Sequence, residues 1–208
     1  MKKTKYSLII SGVIVLATLT LSIGYLQILT NSSEPTVTKP KTAPKHHHVT
    51  KQAHSEHQQH PAVDWRAPSE AKPYPDLTTV SNLWIKVSEA KQRVYLMDGD
   101  QTLYTMYCST GAKDSPTPTG TFYIQAERGP EFYNQKSKEG AKNYVSFKDH
   151  GVYLFHSVPT DKKGTFIASE ANELGHTANS HGCVRLSVAD SEWFYNSIPE
   201  GTKVVIEK

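Results

Sequence analysis

The sequence has little cysteine and little net charge. Two cysteines among 208 residues exclude a small domain held together by several disulfide bonds. The net charge is only +3, and the excess comes from three lysines within the first 30 residues. The rest of the chain is nearly neutral, so it offers no basic face of the kind that binds nucleic acid. No internal repeat is visible, and the length suits one domain with extensions.

The N-terminus also lacks acidic residues, and residues 6–30 carry no charge at all. A helix of that length rises roughly 37 Å, enough to cross a hydrocarbon core of about 30 Å. The preceding lysines favour a cytoplasmic N-terminus. A cleaved signal peptide is the alternative, but its apolar region is usually shorter, and residues 29–31 do not supply its small-residue cleavage site. We therefore expect a single-pass transmembrane helix over residues 1–30 that anchors an extracytoplasmic chain in the cell membrane.

Residues 31–80 are poor in apolar residues and rich in serine, threonine, proline, lysine and histidine. Such a segment cannot bury enough surface to offset its conformational entropy, so we expect a disordered, flexible linker. Six of the ten histidines lie in it. Imidazole is a ready metal ligand, but no cysteine or ordered scaffold holds these rings in place, and a polar spacer is favoured over a metal site. Residues 63–76 could form a partly ordered lead-in to the domain at 81–208.

Residues 81–208 show the alternation of a mainly β domain. Leu83, Ile85 and Val87 alternate with three other residues, which places them on one face of a strand. The sequence Asp-Gly-Asp at 98–100 separates two β-prone stretches, and Asp-Gly favours the positive φ of a tight hairpin turn. The β-prone stretches are 83–87, 92–97, 101–108, 121–126, 144–147 and 152–155. The first three predict a β-meander.

The stretch 127–143 interrupts this pattern with glycine, asparagine and lysine. It predicts a long loop between two strands, and such loops inside a compact domain are often functional. Phe132 and Tyr133 could then form a lid or a wall of a substrate groove.

One helix is predicted near the end of the chain. Ser187 and Asp190 have the spacing of a capping box, and residues 188–198 carry apolar side chains at helical intervals before a proline. Trp193 and Phe194 are expected to cover the sheet rather than bind a ligand.

The most informative stretch is Ser-His-Gly-Cys-Val-Arg at residues 180–185. It sets Cys183 beside a histidine, a glycine and an arginine, a typical setting of a reactive thiol. The thiolate is the nucleophilic form, and nearby cations or backbone N–H groups lower its pKa. Gly182 allows a sharp turn whose N–H groups can face an oxyanion. Cys108, by contrast, ends a β-prone run, where a small inward-facing thiol is favoured over a disulfide with Cys183.

A nucleophilic cysteine needs a base, and three histidines are candidates. His156 ends an apolar stretch, so a rigid strand would hold its ring at the sheet edge. His176 lies in a polar loop, closer to the cysteine in sequence but less firmly held. His181, two residues before the cysteine, is better placed to shape the turn than to take the proton.

These motifs resemble the catalytic signature of the L,D-transpeptidases, the YkuD-domain family of bacterial cell-wall enzymes. The resemblance covers about residues 83–208 and includes, in order, 107–111 with 116–120, 151–159, 180–188 and 198–206. It implies a mainly β fold, a YkuD-like β-sandwich with a short helix after the catalytic cysteine.

The resemblance also implies roles for individual residues. It selects Cys183 as the nucleophile and His156 as the base, with the backbone around Gly182 as the oxyanion donor. The Ser157 carbonyl would orient the imidazole, and Arg185 would help to hold the site or the substrate.

Ser180 and His181 would shape the turn that carries the nucleophile. The chain departs from the family pattern at one point, since the separation between His156 and Cys183 is longer than in the compact form of the motif. Residues 160–179 therefore resemble an insertion.

The activity implied by the resemblance is acyl transfer on peptidoglycan. The cysteine would attack the amide before the terminal D-residue of a tetrapeptide stem, leaving a thioester that an amine of a neighbouring stem resolves into a cell-wall cross-link. Water in place of the amine would give L,D-carboxypeptidase activity. Peptidoglycan stem peptides and carbapenem-type inhibitors are the implied partners, and the reaction needs no metal or cofactor.

Two other classes of protein share some of these features. A sortase-like protein transpeptidase also uses cysteine, histidine and arginine on a β scaffold, but its arginine would lie several residues beyond the cysteine, against two in this chain. Cleavage of a sorting peptide distinguishes that class. A non-catalytic wall-binding module with a structural cysteine would fail to react rapidly with a thiol electrophile.

Overall fold

The computed structural model describes residues 63–208, so the predicted membrane anchor and the histidine-rich part of the linker lie outside the described residues. The described part is mainly β, as predicted. Its strands are β1 (Leu83–Ser88), β2 (Arg93–Asp98), β3 (Gln101–Ser109), β4 (Gly120–Tyr123), β5 (Arg128–Asn134), β6 (Glu139–Lys148), β7 (Tyr153–Ser157), β8 (Val184–Leu186) and β9 (Lys203–Glu207). Its helices are a 3-10 turn at Leu77–Thr79, α1 (Ala168–Ala171) and α2 (Val188–Ser197). None of these helices is long and apolar enough to span a bilayer.

The strands form one sheet in the order β4-β9-β1-β2-β3-β8-β7-β6-β5, in which only β1 with β9 and β7 with β8 are parallel. The sheet curls on itself. Ser146 of β6 donates its N–H to the Glu127 carbonyl and accepts from the Gln125 N–H, in the segment that follows edge strand β4. Phe122 of β4 packs edge-on against Phe147 of β6, with ring centroids 5.7 Å apart. A curled sheet therefore encloses the core, in place of the expected two-sheet sandwich.

The predicted β-meander is present at the start of the domain. Ile85 and Val87 of β1 are fully buried, and Leu83 packs against the same core. Gly99, with φ 55°, lies in the two-residue turn between β2 and β3, as the Asp-Gly pair predicted. Other buried core residues are Val94, Leu96, Tyr104, Met106, Val145, Phe155, Val184 and Ile206.

The predicted loop over 127–143 is wrong, because β5 and the first half of β6 form a hairpin there. Phe132 pairs with Ala141 and Asn134 pairs with Glu139 across it. Pro130 obscures the strand in the sequence, since proline cannot donate to a ladder. It is tolerated because β5 is an edge strand with one unpaired side.

The helix α2 begins where the sequence predicted. The Ser187 hydroxyl accepts the N–H of Asp190 at 3.0 Å and caps the helix. Phe194 is buried, and its ring lies 4.6 Å from that of Phe155 in β7, so the helix braces the strand that carries His156. The four-residue α1 was not predicted, because so short a segment shows no helical period.

Residues 63–80 pack against the domain. Trp65 is buried, and its Nε1 donates a hydrogen bond to Asn172 Oδ1 at 3.1 Å. The Tyr74 hydroxyl donates to the carboxylate of Asp190 at 2.7 Å. Residues 63–80 therefore belong to the folded domain, although composition placed the domain boundary at residue 81.

Candidate active site

Two neighbouring parallel strands bring the predicted cysteine and histidine together. Phe155 of β7 pairs with Val184 of β8, and His156 pairs with Arg185. Cys183 precedes β8, so it shares a face with Arg185, because side chains alternate along an extended chain. Cys183 and His156 both line one cavity of about 530 Å³. The short strand β8, buried throughout, fixes the position of the cysteine between β3 and β7.

The Cys183 thiol is held near backbone groups of the neighbouring strand. Its Sγ lies 3.7 Å from the carbonyl oxygen of Val152. Burial raises the pKa of Cys183 to about 11, while the Leu154 N–H and the Arg185 charge act more weakly in the opposite direction. The expectation of a lowered pKa is therefore wrong, because desolvation outweighs the nearby cation and N–H group. The neutral thiol predominates near pH 7.

His156 is also buried, and its Nδ1 lies 2.6 Å from the carbonyl oxygen of Ser157. Because a carbonyl oxygen only accepts, Nδ1 carries the proton and Nε2 presents a lone pair. Burial lowers the pKa of His156 to about 4, which keeps the ring neutral near pH 7. The Phe132 ring packs edge-on against the imidazole, with centroids 5.5 Å apart. The structure thus holds a neutral imidazole and a neutral thiol in one cavity.

The remaining histidines of the domain separate by position. His181 lines the cavity and is largely exposed, with Nδ1 3.4 Å from Glu139 Oε2. His176 follows α1 and is not part of the cavity wall. His150 does line the cavity, although the sequence did not single it out. His150 was missed because it lies in a short polar loop, residues 149–151, whose sequence does not indicate that it lies beside the site.

Arg185 is almost fully buried and forms two ion pairs. Its guanidinium nitrogens lie 2.9 Å from Glu139 Oε2 on β6 and 2.9 Å from Glu170 Oε2 on α1. Sequence reasoning missed both glutamates. A buried arginine requires acidic partners, but the sequence cannot tell which distant acids supply them. Glu170 also lies in the segment that resembled an insertion, residues 160–179, so that segment is tied to the site.

The turn before the cysteine is fixed by one serine. The Ser180 hydroxyl donates to the Cys183 carbonyl at 2.6 Å and accepts the Gly182 N–H at 3.1 Å. Gly182 has φ 104°, and a Cβ there would lie 3.0 Å from the ring of Tyr153. Only glycine fits this close approach without strain. The Gly182 N–H is engaged by Ser180, which leaves the N–H groups on either side of it for other partners.

The loop at 111–117 supports this turn from behind. The N–H of Ala112 and the hydroxyl of Ser115 both donate to the Ser180 carbonyl, at 2.9 and 3.1 Å. Gly111 packs so tightly that a Cβ would lie 2.3 Å from the Ser115 carbonyl oxygen. The loop at 111–117 therefore helps to position the nucleophile, although its residues do not line the cavity.

A thiol, an imidazole lone pair and a glycine turn around one cavity are the components of acyl transfer through a cysteine nucleophile. The class defined by this site is a cysteine acyltransferase on a curled β sheet.

Comparisons with known proteins agree with that class. Residues 82–206 match the family described as YkuD, the L,D-transpeptidase catalytic domain. YciB of Bacillus subtilis (strain 168), a protein assigned to the L,D-transpeptidases, is 47% identical over 148 residues, which are 70% of this chain and 75% of the relative. The chain belongs to the L,D-transpeptidase catalytic domain family. The family and the enzyme class predicted from the sequence are confirmed.

Solved structures show the same fold at low identity. An L,D-transpeptidase from Mycobacterium smegmatis superposes with a TM-score of 0.51 at 19% identity, over 61% of this chain and 59% of that one. An LD transpeptidase solved in complex with imipenem gives a TM-score of 0.50 at 20% identity, over 60% of this chain and 58% of that one. This chain thus spans less than two thirds of either solved chain.

Proposed function

We propose that this protein cross-links peptidoglycan, with Cys183 as the nucleophile and His156 as the general base. The observation that carries the proposal is the pairing of β7 with β8, which places both side chains in one cavity. Membership of the L,D-transpeptidase family supports the substrate class, a tetrapeptide stem that ends in a D-residue.

The first half-reaction forms a thioester. His156 Nε2 takes the proton of the Cys183 thiol as the sulfur attacks the stem carbonyl, so a resting thiolate is not required. The C–N bond then breaks, and the departing D-amino acid receives that proton from the imidazolium. Because His156 is bound through Nδ1 to the Ser157 carbonyl, one nitrogen serves both transfers.

The second half-reaction resolves the thioester. An amine from a neighbouring stem attacks the carbonyl carbon, the C–S bond breaks, and the sulfur regains a proton through His156. A new amide joins the two stems. Water in place of the amine would make the protein an L,D-carboxypeptidase, and the product distinguishes these outcomes.

The turn before the cysteine supplies the oxyanion donors in this proposal. The Gly182 N–H is held by Ser180, so the N–H groups of His181 and Cys183 are the candidates to meet the developing charge. Arg185, already paired with two carboxylates, acts by fixing β6 and α1 around the site rather than by binding substrate.

The N-terminal residues complete the proposal. A single-pass anchor over residues 1–30, followed by a polar linker, would hold the domain on the cell-wall side of the membrane, where its substrate lies. Carbapenems are proposed inhibitors, since a related enzyme has been solved in complex with imipenem. Their strained carbonyl would acylate Cys183.

Product analysis tests the proposed function. Isolated tetrapeptide muropeptides, incubated with the protein, should lose the terminal D-residue and yield cross-linked dimers visible by mass spectrometry. The Cys183→Ala variant should yield neither product. Tripeptide monomers alone would identify a carboxypeptidase, and unchanged tetrapeptides with a folded protein would refute the proposal.

A further inference from the structure

A second carboxylate and imidazole lie together in the wall of the active-site cavity. His150 Nδ1 lies 2.8 Å from Glu127 Oε1, and both residues line the cavity that holds Cys183. The hydrogen bond from His150 holds the pKa of Glu127 below its usual range, so Glu127 is a carboxylate near neutral pH. A carboxylate only accepts, so His150 Nδ1 carries a proton and donates it to Glu127.

Glu127 has an open acceptor. Its Oε2 is shielded from solvent and has no hydrogen-bond partner among residues 63–208, although the side chain as a whole is 39% exposed. The other carboxylate of the cavity, Glu139, differs, because its Oε2 is bonded by Arg185 at 2.9 Å. A buried carboxylate oxygen without a donor is unfavourable unless a ligand supplies one. The ligand that satisfies it best is a cation with N–H groups.

The turn that presents His150 is held in an unfavourable backbone conformation. Asp149 and His150 have φ of 55° and 48°, and Gly151 follows with φ 96°. Left-handed backbone is uncommon for residues with a Cβ and recurs at functional sites. Gln125 Oε1 accepts the His150 N–H at 3.0 Å, which fixes the turn against the segment that carries Glu127.

The chain segment that carries His150 also contacts the nucleophile. Val152, whose carbonyl contacts the Cys183 thiol, lies between His150 and His156 in the chain, and all of these residues line the cavity. His156 is buried, whereas the His150 side chain is 76% exposed and can pass a proton to solvent.

We propose that Glu127 and His150 form the acceptor side of the site. The Glu127 carboxylate binds the ammonium group of the incoming amine, and His150 Nε2 takes one of its protons. The proposal rests on the transpeptidase function proposed above. It addresses a requirement of that function, since an alkyl ammonium has an ordinary pKa near 10 and cannot attack while protonated.

The step balances in atoms and charge. The ammonium loses one proton to His150, and the nitrogen lone pair attacks the thioester carbonyl carbon. The C–N bond forms as the C–S bond breaks, and a second proton from the nitrogen reaches the Cys183 sulfur through His156. His150 returns its proton to solvent. The net products are an amide, a free thiol and one proton.

The experiment separates the two half-reactions in the full-length protein. A tetrapeptide stem with its side-chain amine blocked serves as donor, and release of the D-residue reports acylation. An alkyl-amine stem and hydroxylamine serve as alternative acceptors. Hydroxylamine is unprotonated at neutral pH, so it needs no base to release its lone pair. The variants are His150→Ala and Glu127→Gln, with His176→Ala as the matched control outside the cavity.

The expected result is selective loss of transfer to the alkyl amine. His150→Ala should reduce that transfer about tenfold or more, while hydroxylamine transfer and D-residue release stay close to the wild-type rates. Glu127→Gln should raise the KM for the amine about tenfold or more, since it removes a charged hydrogen bond. His176→Ala should change none of these rates.

Two results would overturn the inference: unchanged amine transfer in both variants, or equal losses with both acceptors, which would indicate a structural role only. Failure of the wild-type protein to release the D-residue would instead refute the transpeptidase function itself.

Discussion

His156 Nδ1 lies 2.6 Å from the Ser157 carbonyl oxygen, which leaves Nε2 as the nitrogen that can exchange a proton with substrate or thiol. Because burial lowers the pKa of His156 to about 4, the ring is in the basic form throughout the neutral range. The nucleophile and its base are therefore both uncharged before substrate binds.

The base assignment predicts different outcomes for two histidines. His156→Ala should slow thioester formation about 10²- to 10⁴-fold, the usual contribution of a positioned base. His176→Ala should remain close to wild type, because it lies outside the cavity wall. Single-turnover release of the D-residue measures both. A folded, inactive His176→Ala beside a near-normal His156→Ala would move the base to the other histidine.

The buried imidazole predicts loss of stability in acid. The unfolded chain binds a proton at His156 near pH 6.5, but the folded chain binds it only near pH 4. Stability present above pH 6.5 is therefore lost as the pH falls, by about 3 kcal/mol at pH 4. Urea unfolding at pH 7 and pH 4 measures this loss of stability. The His156→Gln variant should lose about 3 kcal/mol less than the wild type between these two pH values, because it lacks the buried imidazole. An equal loss in both proteins would contradict a buried, neutral ring.

The two ion pairs of Arg185 predict that it stabilises the site framework. Arg185→Met should lower the free energy of unfolding by about 3 kcal/mol, the low end for a broken buried pair, because Glu139 and Glu170 remain partly exposed. Arg185→Lys should also be destabilising, since an ammonium cannot reach both carboxylates in the same geometry. Denaturant titration provides the values. Wild-type stability in both variants would contradict a structural role for the pairs.

Much of this fold was predictable from local pattern. The alternation of β1, the Asp-Gly turn around Gly99 and the capped helix α2 all depend on residues close together in the sequence. The curl of the sheet was not predictable, because it depends on contacts such as Phe122 with Phe147 that join distant strands.

The candidate site divides in the same way. Cys183, Gly182 and Ser180 lie in one short motif, so their association was visible before the structure. Glu139 and Glu170 were missed, because each reaches Arg185 only through the tertiary fold. The thiol pKa was also misjudged, since desolvation depends on packing that the sequence does not reveal.

The packing of residues 63–80 predicts where the stable domain begins. A protein that starts at residue 63 should have the same free energy of unfolding as the full-length protein. A protein that starts at residue 81 should be less stable, because Tyr74 no longer bonds the buried Asp190 carboxylate. Trp65→Ala alone should cost about 3 to 5 kcal/mol, as large buried side chains do. Thermal and urea unfolding compare the three proteins. Equal stability of the two truncated proteins would mean that the lead-in contributes nothing.

The most direct test of the account is the site at which a β-lactam acylates the protein. After incubation with imipenem, the intact mass should rise by one inhibitor, and peptide mapping should place the adduct on Cys183. Cys108 is buried and its pKa is raised, so it should remain unmodified, and Cys183→Ala should abolish the adduct. An adduct on Cys108, or one that persists in Cys183→Ala, would contradict the assignment of the nucleophile.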